Sequence, residues 1–83
     1  MMTEAEILQR VGEIVGDVLG EEGVVLSNST TAKDVDGWDS VTNVQIMVAV
    51  EQSFGIRFRT GELAGLRNVG ELVGRIRGHL GGR

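Results

Sequence analysis

Apolar residues recur at helical spacing in three stretches of this chain, and that periodicity limits the fold more than any other feature. Ile7, Leu8, Val11, Ile14, Val15, Val18 and Leu19 fill one face of a first helix. Val41, Val44, Ile46, Met47, Val48, Val50 and Phe54 define a second, and Val69, Leu72, Val73, Ile76 and Leu80 a third. The short run Ile56-Arg57-Phe58 could be read as a strand but has no obvious partner to pair with. A chain of 83 residues makes one domain. The predicted fold is all-α: a small antiparallel four-helix bundle with three long helices, one short one and a long loop after the first. Its core spans about residues 4–80, with 81–83 as a flexible tail.

Local signals place the helix ends. Thr3 with Glu6 reads as a capping box, and Gly20 as a terminator. The second helix runs from about Ser40 to Ser53 and stops at Phe54-Gly55. Thr60-Gly61-Glu62-Leu63-Ala64 suggests the single short turn of helix, and Asn68 with Glu71 caps the last helix. Residues 20–39 form a connection long enough to suggest a function. Leu26 and Val35 are expected to tuck under the helices and pin it. Gly12, Gly16, Gly70, Gly74 and Gly78 fall off the apolar stripes on a helical wheel, so they read as tolerated surface glycines rather than a close-packed interface.

The second helix has an apolar arc of roughly 220° at ~100° per residue, wider than an ordinary core-facing stripe. Either the helix is central or one apolar edge is kept for a partner. Val41 and Val48 share an edge with Gln45 and Gln52 and are assigned outward. Val44, Met47, Val50 and Phe54 are assigned inward.

Charge is unevenly spread. Residues 1–54 carry ten acids against Arg10 and Lys33, leaving -8, and residues 55–83 carry six arginines against Glu62 and Glu71, leaving +4. The halves can neutralise each other within one fold, or the acidic region can steer basic partners. Nucleic-acid binding is disfavoured, because the arginines are dispersed and the net charge of -4 has the wrong sign for a phosphate backbone. There is no long apolar run or signal-peptide pattern, which points to a cytoplasmic protein that does not bind membranes. The absence of cysteine excludes disulfides and thiolate metal sites, so any thioester chemistry needs a thiol from an attached cofactor.

Chemistry concentrates at Asp36-Gly37-Trp38-Asp39-Ser40-Val41, where a loop meets the second helix. Free N–H groups and the positive end of the helix dipole favour a phosphate there. Ser40 is thus well placed to bear a phosphate ester; an ordinary helix cap or a phosphorylation site fits the local string as well. Asp39 reads as a capping or dipole-complementing residue. Nothing near Ser40 can act as its base. His79, the sole histidine, reads as a surface residue near a helix C-terminus. Trp38 reads as a loop anchor or as a contact for a partner.

The chain resembles acyl carrier proteins, the family that includes peptidyl carrier domains. The resemblance rests on Gly37-Trp38-Asp39-Ser40-Val41, the run Val44 to Val50, Glu51-Gln52-Ser53-Phe54-Gly55-Ile56, and Asn68-Val69-Gly70-Glu71, and covers Glu4 to Leu80. It implies that Ser40 carries a 4'-phosphopantetheine arm, installed from coenzyme A by a phosphopantetheinyl transferase with magnesium. The arm's thiol then holds acyl groups as thioesters for fatty-acid, polyketide or related enzymes. Asp39 is implied to support the transferase's magnesium and docking groups. Val41, Gln45, Val48 and Gln52 are implied to face partners that load and process the acyl group, and Trp38, by its place next to the attachment site, is a further candidate contact for a partner or the arm. Ile46 and Val50 are either core residues or the lining of an acyl pocket. No catalytic residue and no resident metal are expected, and the protein is expected to be a free-standing monomer. The second helix departs from many fatty-acid carriers, because Glu51 is its only acid between Val41 and Phe54. Asp34, Asp36 and Asp39 are expected to take over the electrostatic role, with a dedicated pathway partner. Two other readings remain. One is an unmodified interaction module using the exposed edge of the second helix. The other is a small serine hydrolase, disfavoured by the missing base.

Overall fold

The computed structural model describes residues 2–81. Three α-helices carry the fold: α1 (Glu4–Leu19), α2 (Ser40–Phe54) and α3 (Val69–Gly81), with a 3-10 turn at Ala32–Asp34 and no strand among the described residues. The helix ends are fixed by the expected chemistry. Thr3 Oγ1 accepts from Glu6 N while Glu6 returns a carboxylate oxygen to Thr3 N at 2.8 Å. Gly20 and Gly55 close α1 and α2 in the left-handed conformation, which glycine adopts without a Cβ penalty.

Direction follows from two exposed polar links. Arg77 near the end of α3 reaches Glu4 at the start of α1, at 2.8 Å. Arg10 in the first half of α1 bonds Ser53 at the end of α2. So α1 runs antiparallel to both other helices, and α2 and α3 point the same way. The energy lies in the core rather than in these links, since exposed ion pairs contribute little. Ile7, Val11, Val15, Ile46, Val50, Val73 and Ile76 are buried to 2% exposure or less. Each such side chain stabilises the fold by about 1.5–3 kcal/mol relative to leaving it exposed.

The fourth, short helix takes another form. Residues 59–66 make successive turns closed by Glu62 N to Arg59 O, Ala64 N to Gly61 O and Leu66 N to Leu63 O. Gly61 and Gly65 sit at φ +80° and +83°, which interrupts helical continuation. Of the expected flexible tail, Gly81 closes α3, and residues 82–83 lie outside the described residues.

Three of the glycines read as surface residues are close-packing positions. A Cβ on Gly16 would lie 2.6 Å from Glu21 O, and one on Gly70 would lie 2.8 Å from Asn28 O. Gly12 is similarly tight, at 3.2 Å from Val24 O. The wheel misplaced them because the object packed against them is the returning loop, not another helix. Gly74 and Gly78 do face open space. The loop in turn caps α3: Val69 N donates to Thr30 O and Gly70 N to Asn28 O, both at 2.8 Å. Leu26 is buried and Val35 half-buried against the core, as expected.

Candidate functional site

The site is the junction between the loop and the first turn of α2. Asp39 is the N-cap, and Ser40 is the first helical residue. Asp39 Oδ1 accepts from both Val41 N and Thr42 N at 2.9 Å. Thr42 Oγ1 answers by accepting from Asp39 N at 2.9 Å and donating to Gly37 O at 2.7 Å. This is a capping box with the roles of acid and hydroxyl exchanged. The helix N–H groups, that of Thr42 foremost, hold the Asp39 carboxyl below its usual range, so it is an anion at neutral pH.

That arrangement corrects one expectation. The N–H groups of the first turn are not free for a phosphate, because Asp39 has already engaged two of them. Asn43 N bonds Asp39 O at 2.8 Å, which leaves only the N–H of Ser40 open at this end among the described residues. Ser40 itself is exposed, and its hydroxyl has no partner among the described residues. A group esterified here gains the helix dipole and one N–H, meets a neighbouring carboxylate, and points into solvent. The position therefore fits a tethered arm that projects outward rather than one clamped to the surface.

Trp38 is half-buried, and its Nε1 donates to Asn43 Oδ1 at 2.9 Å. With Met47, Leu63, Leu66 and Leu72 it lines a cavity of about 500 Å³ between α2 and the segment leading into α3. Ile46 and Val50 do not line it; both are fully buried core residues, which settles their two readings in favour of packing.

The outer edge of α2 is broader than expected. Val41 and Val48 are exposed, and so is Val44, at 61%, against its inward assignment. Gln45 and Gln52 share the exposed side. Glu51, the lone acid of α2, is half-buried and accepts from Phe58 N at 2.7 Å, so it serves the fold. Thr42 and Asn43 were given no site role from the sequence, and Val44 was assigned inward. An acid followed three residues later by a hydroxyl residue at a helix start was a readable sign of the Asp39–Thr42 exchange.

Hydrolytic chemistry finds no support here. His79 Nε2 lies 2.8 Å from Glu62 Oε2, and its ring meets Phe58 edge-on. It sits near the end of α3, whereas Ser40 begins the parallel helix α2. At 1.5 Å rise per residue, the 15 residues of α2 separate its two ends by about 20 Å. Among the described residues no cluster of acids and histidines could hold a metal ion, and no helix is long and apolar enough to cross a membrane.

The model of the family described as "Phosphopantetheine attachment site" matches residues 9–76. An acyl carrier protein of Rhodococcus erythropolis is 37% identical over 75 residues, covering 89% of this chain and 81% of the relative. A meromycolate extension acyl carrier protein of Mycobacterium tuberculosis is 33% identical over 75 residues. The alignment covers 90% of this chain and 65% of that relative, so the chain spans about two thirds of its length. The solution structure of a holo acyl carrier protein from Geobacter metallireducens superposes with a TM-score of 0.81 at 34% identity, covering 89% of this chain and 85% of that one.

Proposed function

Because this chain belongs to the acyl carrier protein family, whose mark is a phosphopantetheine attachment site, we propose that Ser40 Oγ is the atom that bears its 4'-phosphopantetheine arm. The chain carries acyl groups on that covalently attached arm and works with biosynthetic enzymes. When bound, the arm supplies the thiol that this cysteine-free chain lacks, and an acyl group is held on it as a thioester.

The observation that carries the assignment to Ser40 is its exposed, unengaged hydroxyl at the first position of α2, with no histidine near it and the neighbouring Asp39 carboxylate engaged by Val41 N and Thr42 N. Such an oxygen can be esterified by an external enzyme but cannot act as a nucleophile on its own account. Asp39 fixes the first turn and keeps a negative charge beside the attachment point, where a transferase's magnesium can be attracted. Trp38 anchors the loop through Asn43. The cavity beside Trp38 and Met47 offers apolar shelter for a short acyl chain. Val41, Val44, Gln45, Val48 and Gln52 form the edge that meets acyl-loading and acyl-processing enzymes, with the exposed part of Trp38 at its flank. The protein acts as a carrier rather than a catalyst.

Incubation with coenzyme A, magnesium and a broad-specificity phosphopantetheinyl transferase, read by intact mass, tests this. One phosphopantetheinyl group is expected, and none on Ser40→Ala. Modification at another hydroxyl, or no modification by several transferases, defeats the assignment and leaves an unmodified docking module.

A further inference from the structure

A second cleft, of about 800 Å³, lies at the far end of the molecule from Ser40, between the segment after α2 and the last turns of α3. Arg57, Arg59 and Arg75 line it, and all three are exposed. None of their guanidinium groups makes a hydrogen bond or close ion pair among the described residues, whereas Arg10 and Arg77 are both paired. The one acid in the lining, Glu62, is already spent. Its carboxylate accepts from Arg59 N at 2.8 Å and bonds His79 at 2.8 Å, and Arg75 acts on it only through space. Gly74 and Gly78 form part of the α3 wall, and a Cβ at either would meet nothing within 4 Å. The wall is therefore low, and main chain is accessible between the arginines.

We propose that this cleft is a second docking surface, which takes an acidic peptide segment of a partner enzyme. Charge complementarity selects that occupant. In a chain of net charge -4, three arginines without close partners line one concavity, and among the described residues the one carboxylate in its lining, Glu62, is already bonded to Arg59 N and His79. An open mouth with exposed glycines in its wall and three arginines around it suits an extended chain with carboxylates along it better than a compact ion. The site is independent of the arm, so it would hold the carrier by one end while Ser40 stays exposed at the other.

The test is a titration of isotope-labelled, unmodified full-length protein with a hexaglutamate peptide, followed by the backbone amides of Arg57, Gly74 and Gly78. Use of the unmodified protein separates the outcome from the fate of Ser40. The expected result is a saturable shift confined to residues 55–62 and 74–79, weakening as salt is raised. Arg57→Glu with Arg75→Glu should weaken it about tenfold, since one exposed charge pair contributes up to roughly fivefold. If that variant loses helicity, Arg57→Gln with Arg75→Gln carries the test, with a smaller loss in the same direction. Equal shifts with hexaglutamine, unchanged affinity in the folded variants, or equal saturation by inorganic phosphate would overturn the proposal. The last outcome would make the cleft a small-anion site.

Discussion

The two faces of α2 are made of much the same residues and do opposite work. Ile46 and Val50 are fully buried in the core that α2 shares with α1 and α3, while Val41, Val44 and Val48 are 67%, 61% and 46% exposed. Side-chain chemistry does not separate these sets; the presence or absence of a neighbour does. One face holds the bundle together. The other is apolar surface left uncovered beside the attachment serine, and such surface marks interaction sites when it is contiguous.

The sharpest way to break this comparison is to truncate one residue on each face. Ile46→Ala should cost about 2–4 kcal/mol in urea unfolding, as for other large-to-small core changes. Val44→Ala should stay within about 0.5 kcal/mol. Equal losses would mean that Val44 is buried in solution. Next comes function: Val48→Asp should lower transfer to or from a partner enzyme about tenfold, in the range of an interface anchor, with the helical circular dichroism retained. An unfolded variant would place Val48 in the core instead. A smaller effect contrasts the glycines of α3. Gly74→Ala should stabilise by about 1 kcal/mol, the helix-propensity difference, because nothing opposes a Cβ there. Gly70→Ala should destabilise, because the Asn28 main chain stands in the way.

The smallest effect concerns pH. The Asp39 carboxyl is held below its ordinary value of 3.8 in the folded state, so its contribution is complete above that value and is lost as pH falls through the folded one. Glu6 and Glu62 are lowered as well and act in the same direction. The comparison of Asp39→Asn with the parent chain isolates one of the three. The urea midpoint of the variant should fall less between neutral pH and about pH 3, the region of carboxylate protonation. Parallel curves would show that the cap does not depend on its charge.

The three long helices and their ends were legible in the sequence, because periodicity and capping residues are local signals, whereas the short fourth one, interrupted by Gly61 and Gly65, was not. Thr3 with Glu6, Gly20, Gly55 and Asn68 all act as read. The facing of α2 was only half legible. Its wide arc showed that one edge must stay uncovered, but a wheel cannot say which end of the arc that is. Asn43 shows the limit of the wheel. It lies there among Ile46, Val50, Phe54 and Met47 yet is exposed, because at the start of α2 that face meets the loop, and Trp38 Nε1 bonds it there. The glycines facing the loop were illegible for a different reason, since their partners are main-chain carbonyls, which carry no sequence signature. Ser40 was found from its setting, but the occupation of the neighbouring N–H groups by Asp39 needed coordinates.

The join between the long loop and α3 has a consequence for how this molecule can vary. It is made by the carbonyls of Asn28 and Thr30 meeting the first amides of the helix. The side chain of Asn28 adds no hydrogen bond to that seam, so substitution there leaves the seam's bonds in place. Position 70 has no such licence: a larger residue would pry the strap off and strip two amides of their acceptors together. Tolerance and intolerance to mutation thus face each other across a gap of one hydrogen bond.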